Sequence, residues 1–204
     1  MDDFTLTPGF SYYYVSHELW GKVSGQIKND DTHHLQYVPS GSSVYSTAAK
    51  GGAWLSRARQ TLTRLVIVGH GSPGQFFLGE DITSGNIAPL GGWLSSFFES
   101  DSTGIQILGC QAAADSSQRI GGYEYGQANP LSERSLSHQG YELLRELARA
   151  SNQTVEGALY GQSIVGVRLK NMCRRVFPDG TDEIFDAGEI DDAVDADLGK
   201  GGVV

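Results

Sequence analysis

The sequence predicts an α/β fold, a three-layer α/β/α sandwich around a mostly parallel central sheet. Two short, continuous, β-branched runs, "RLVIVGHG" and "GIQILGC", read as buried strands that each end at a Gly. Helical patterns fall between the strands, and alternation of that kind implies parallel pairing with right-handed crossovers. The 204 residues, 39% hydrophobic and 19% charged, suffice for one such domain. Residues 1–178 are expected to form it, with a core over 60–170.

Taken in order, the aromatic "FSYYYVSHELW" reads as a first strand or hairpin arm. "HHLQYVP" is a second short strand, closed by Pro39 and the turn "SGSS". "STAAKGGAWLSRARQTLT" reads as a helix with Ala48, Ala53, Leu55 and Leu62 as core positions, and Gly51-Gly52 weakens its first half. After "RLVIVGHG", "GQFFLGED" suggests a short hairpin arm. "NIAPLGGWLSSFFES" reads as a helix with Trp93, Leu94, Phe97 and Phe98 inward. Beyond "GIQILGC", residues 111–133 are long and polar, and loops of that length in a compact domain are usually functional or disordered. Leu136, Gly140, Leu143, Leu144 and Leu147 then mark one face of a helix, with Ser132 or Ser135 as its cap. "TVEGALYG" and "SIVGVRLK" read as the last strands.

Charge excludes some functions. The net charge is −9, and residues 179–204 carry nine acids against one base, Lys200, so the rest is near neutral. Nucleic-acid binding needs a basic face, and the one basic cluster, Arg168, Lys170, Arg174 and Arg175, is followed at once by the acids. Residues 179–204 are expected to be a flexible, solvated tail; docking on that basic cluster is the alternative. Two cysteines, Cys110 and Cys173, make no disulfide framework, so reduced thiols and a cytoplasmic location are expected. "MDDFTLTPGF" is acidic and has no apolar run, so no signal peptide is expected, and no run approaches the roughly 18 apolar residues of a membrane span.

The chemistry lies at two strand ends. His70 and Cys110 each follow a Gly that closes an apolar run. In open parallel sheets ligands sit beyond the carboxyl ends of strands, and neighbouring strands are only about 4.8 Å apart. Singly, such a Cys reads as a small buried hydrophobe and such a His as a turn residue. Together, in order, they can form a dyad in which imidazole takes the thiol proton and later protonates a leaving amine. Amides of Gly71 and Cys110 would then make an oxyanion hole.

The motifs "VIVGHGSPGQFFLG", "ILGCQAA" and "GYELLRELARASNQTVEGA" resemble the caspase-like (clan CD) cysteine peptidases. They look most like the bacterial CHAT-like domains, whose strands end in His-Gly-Ser-Pro-Gly and in Gly-Cys. The resemblance covers Leu65 to Gly161. It implies a caspase-like fold, His70 as general base and acid, Cys110 as nucleophile and Gly71 as an oxyanion donor. It implies a protein or peptide substrate, with self-processing or an activating or inhibiting protein partner as options. The alternative is a non-catalytic module of the same fold, used for binding or as an adaptor. This chain departs from caspases in the narrow sense: Gln-Ala follows the Cys instead of preceding it, and the His–Cys interval is 40 residues, against about 50 there.

Members of this family select one substrate side chain in a deep pocket. Asp81, Asp115 and Gln111 are the candidate pocket residues, and the two acids read otherwise as solvated loop carboxylates. Arg119 and Arg134 are candidate processing sites within or beside the polar loop. No cofactor or metal is expected. His33 and His34 are adjacent on a strand and so face opposite ways, and His17 and His138 have no partner at ligand spacing. "DGTDEIFDAGEI" lacks the glycine of a calcium loop, and Cys173 has no His near it in sequence.

Overall fold

The computed structural model describes residues 9–100, 102–115, 139–159 and 166–188. Its main sheet has seven strands: β1 (Ser11–Ser16), β2 (His33–Val38), β3 (Arg64–Val68), β7 (Gly104–Leu108), β8 (Val155–Ala158), β9 (Met172–Val176) and β10 (Asp182–Asp186). They lie in the order β2-β1-β3-β7-β8-β9-β10. The first five are parallel, as the alternating pattern requires, and β9 and β10 are antiparallel. A second, small antiparallel sheet, β4 (His70–Ser72), β5 (Gln75–Phe77) and β6 (Asp81–Thr83), is inserted directly after β3.

Helices α2 (Val44–Ala58), α3 (Ala88–Gly92) and α4 (Gln139–Ser151) pack on one face over Tyr12, Tyr14, Leu65, Ile67, Ile105 and Ile107. The other face, with Tyr13, Val15, Val66 and Val68, is covered by α1 (Trp20–Ser24) and by Val167 and Leu169. The two sets alternate along each strand, so the central strands are apolar on both sides, which is why they read as continuous runs. Among the described residues, no helix is long and apolar enough to cross a membrane.

Ser43 caps α2 by accepting from the Ser46 amide at 3.2 Å, and left-handed Arg59 (φ 54°) ends it. Gly51 leaves room for the buried Tyr14 hydroxyl. Ala48, Leu55 and Leu62 are buried as expected, while Ala53 is exposed. Leu62 lies past the helix, its amide donating to Phe97. The face of α4 predicted from Gly140, Leu143, Leu144 and Leu147 is buried; Leu136 and the two candidate caps lie outside the described residues.

Three expectations are corrected. The helix over 86–100 is only the short α3, started by Pro89 and followed by a single 3-10 turn at Ser95–Phe97. Leu94 is buried, but Trp93 is 52% exposed. Of the expected strand "SIVGVRLK", 163–165 lie outside the described residues, and Gly166 to Lys170 is irregular, with positive φ of 76° and 45° at Gly166 and Val167; the next strand, β9, begins at Met172. The acidic tail does not begin at 179. Asp179 and Gly180 form a turn, and Asp182–Asp186 pairs with β9 as an antiparallel strand. Arg175 lies 2.7 Å from Glu183 and Arg174 lies 3.3 Å from Asp182, so the basic cluster neutralises these acids.

His33 and His34 do point to opposite faces: His33 lies beside Tyr13, while His34 stacks on Trp54 with ring centroids 3.8 Å apart. Burial there holds the His34 pKa below its usual value. Among the described residues, no three potential metal ligands come together.

Candidate active site

The two strands that lead to His70 and Cys110 are neighbours. β3 and β7 pair in parallel with Val68 opposite Leu108, so His70 and Cys110, each two residues further on, leave the sheet at the same level. The backbones stay together beyond the ladder. The Gly69 amide donates to the Leu108 carbonyl at 3.3 Å. A Cβ on Gly109 would lie 3.3 Å from the Gly69 oxygen. A Cβ on Gly71 would lie 2.8 Å from the Cys110 nitrogen and closer still to the Cys110 oxygen, so the two chains touch only because residue 71 has no side chain. The two amides expected to form an oxyanion hole thus belong to segments in direct backbone contact.

His70 opens β4, and the small sheet anchors it from one side. Phe76 and Leu78 of that insertion are buried in the main core. On its other side, the His70 Nε2 lies 2.9 Å from Oε2 of Glu18, with the side chains 36% and 44% exposed. Glu18 follows the end of β1, the strand next to β3. Three adjacent strands therefore deliver Glu18, His70 and Cys110 in sequence along one edge. The chain runs from β1 outward to β2 and then crosses back to β3, so the β1–β3 boundary is a topological switch point, where open α/β sheets place ligands. Sequence reasoning missed Glu18. An acid two residues past an aromatic strand reads as solvated charge; only the strand order puts it against the histidine.

Cys110, partly exposed, begins a tight turn held from both ends. Gln111 is left-handed (φ 57°), and its carbonyl accepts from the Ala114 amide at 2.8 Å. The Ala113 amide donates to Ala158 at the end of β8 at 3.0 Å. The nucleophile candidate is thereby presented by a constrained turn.

The pocket candidates separate. Asp115 is not a solvated loop carboxylate: its side chain is 5% exposed and lies 3.0 Å from buried Arg174. Its other oxygen accepts from the Gly140 and Tyr141 amides at the start of α4, at 3.0 and 3.2 Å. That position suits a carboxylate, and it makes Asp115 a structural clamp. Asp81 is exposed, and the ladder His70–Phe77–Asp81 puts it on the same face of the small sheet as His70. Gln111 stays next to Cys110. Arg119, Arg134 and most of the polar loop lie outside the described residues.

The two thiols differ. Cys173 is fully buried, its thiol donates to the Lys170 carbonyl at 3.6 Å, and burial, with Glu156 and Asp186 adding to it, pushes its pKa up to about 12. The folded protein is therefore expected to react with iodoacetamide at pH 8 at Cys110 alone, and at both thiols in denaturant. Intact and peptide mass spectrometry reads this, and equal labelling of Cys173 in the native state would contradict it.

No family model, curated protein or solved structure matches this chain.

Proposed function

We propose that the chain is a caspase-like cysteine endopeptidase that cleaves a protein or peptide through a His70–Cys110 dyad. The observation that carries this reading is the level, in-register exit of His70 and Cys110 from neighbouring parallel strands, with Gly71 pressed against the Cys110 backbone. Helices on one face and α1 on the other are compatible with the three-layer sandwich of that family.

In this mechanism His70 takes the proton from the Cys110 thiol, and the sulfur attacks the scissile carbonyl carbon. The oxyanion that forms accepts from the Gly71 and Cys110 amides. The protonated imidazole then gives its proton to the leaving amine, and the C–N bond breaks to leave a thioester. His70 next draws a proton from water, whose oxygen attacks the thioester carbon; the C–S bond breaks, the acid product leaves, and the imidazolium returns its proton to the Cys110 sulfur. The thiol must stay reduced for this, which suits the cytoplasm.

The test is a positional peptide library with wild-type protein and Cys110→Ser. Hydrolysis by the wild type and none by the variant is the expected result. Equal hydrolysis by both proteins, or no hydrolysis by the wild type, would leave a non-catalytic module of this fold as the better reading.

A further inference from the structure

We propose that Glu18 is a positioning residue for His70, fixing its imidazole with Nε2–H toward the carboxylate and the Nδ1 lone pair free as the catalytic base. The proposal rests on the peptidase reading above and adds a third residue to it.

The backbone contacts around Gly69 and Gly71 fix where His70 leaves the sheet, but they do not fix the rotation of its ring. The ring is 36% exposed, and its Nε2 lies 2.9 Å from Glu18 Oε2. A carboxylate oxygen only accepts, so Nε2 must carry the proton in that contact. In a neutral imidazole the other nitrogen is then the acceptor, and the tautomer is chosen. Without such a partner the two tautomers would be shared, and part of the population would present the wrong nitrogen.

Glu18 is itself well placed to act as a fixed point. It sits in the turn from Ser16 to Leu19, where the Leu19 amide donates to the Ser16 carbonyl at 3.1 Å. Both ends of that turn are buried, Ser16 at 0% and Leu19 at 2% exposure, and α1 follows at once, anchored by buried Val23. A carboxylate on a rigid turn between two buried residues can hold a ring that is otherwise half free. It also faces the positive charge that the imidazole acquires when it takes the thiol proton.

The competing explanation is an ordinary surface ion pair. Such pairs contribute little to stability and nothing to a reaction. The two explanations therefore part on what Glu18→Ala does. As a positioning residue, its loss lowers kcat by roughly 10–100-fold, within the range general acid–base catalysis contributes. KM stays within about twofold, because substrate binding does not need the ring's tautomer. The thermal midpoint should move by less than about 3 °C. Glu18→Gln keeps an acceptor without the charge and should fall between wild type and Glu18→Ala.

The closing experiment pairs these kinetics, on the best peptide from the library, with histidine 15N spectra of the full chain carrying Cys110→Ala. His70 should show a protonated Nε2 and an unprotonated Nδ1, and adding Glu18→Ala should convert it to a mixture of tautomers. An unchanged tautomer, or an unchanged kcat in Glu18→Ala, overturns the proposal. If the wild type cleaves no peptide, the peptidase reading falls, and the catalytic role of Glu18 falls with it. The spectra then still decide whether the carboxylate sets the tautomer, so the two failures are distinguishable.

Discussion

Asp115→Ala is expected to lower the stability of the protein by about 3–5 kcal/mol, the cost of removing one partner from a buried ion pair. The carboxylate it removes lies against Arg174 and accepts from the Gly140 and Tyr141 amides in the first turn of α4 (Gln139–Ser151). Arg174 is 5% exposed, and Asp182, its other acid, is 39% exposed at 3.3 Å. A guanidinium left there keeps its desolvation cost and loses its best counter-ion. Urea unfolding of wild type and variant measures the loss. Replacing both partners, as Asp115→Ala with Arg174→Met, should recover part of it, because two apolar side chains cost less than one orphaned charge. A loss below about 1 kcal/mol in the single variant would show that the pair is not the clamp described here. Arg174 also donates to the Ala113 carbonyl at 3.2 Å, which ties the turn after Cys110 to β9. The same substitution should therefore reduce Cys110-dependent cleavage at temperatures where the variant is still folded.

Some of this arrangement was legible in the sequence, for physical reasons that differ from element to element. β3 and β7 are buried on both faces, so they appear as short β-branched runs that need no knowledge of their partners. The glycines that close them are visible for the same reason. α4 is legible because its apolar residues recur at helical spacing over three turns. β10 was not legible, because its acids look solvated until Arg174 and Arg175 of β9 are laid beside them. The stretch "SIVGVRLK" has a strand's composition, but its described part, 166–170, is irregular, with positive φ at Gly166 and Val167. At the site, His70 and Cys110 could be proposed from their own strand ends. Asp115 could not be separated from a loop carboxylate, nor Glu18 from a solvated one, because burial and strand order set those roles and neither is local.

Gly71→Ala should abolish most Cys110-dependent hydrolysis, by at least about 100-fold, while the chain remains folded. The added methyl has nowhere to go. Its ideal position lies 2.8 Å from the Cys110 nitrogen and closer to the carbonyl oxygen, and both are backbone atoms that cannot rotate aside. Relief requires β4 (His70–Ser72) to move away from the Cys110 turn, and that movement carries His70 with it. Ordinary overpacking costs about 1–3 kcal/mol, and the small sheet is held by buried Phe76 and Leu78, so displacement is more plausible than unfolding. The effect on chemistry should then exceed the effect on stability. A shift of even about 1 Å would separate the proposed base from the proposed nucleophile and spoil the pair of amides proposed to face the oxyanion. Kinetics on the library peptide, read beside urea unfolding, makes the comparison. Activity within about threefold of wild type would mean that the Gly71–Cys110 contact is not what aligns the dyad.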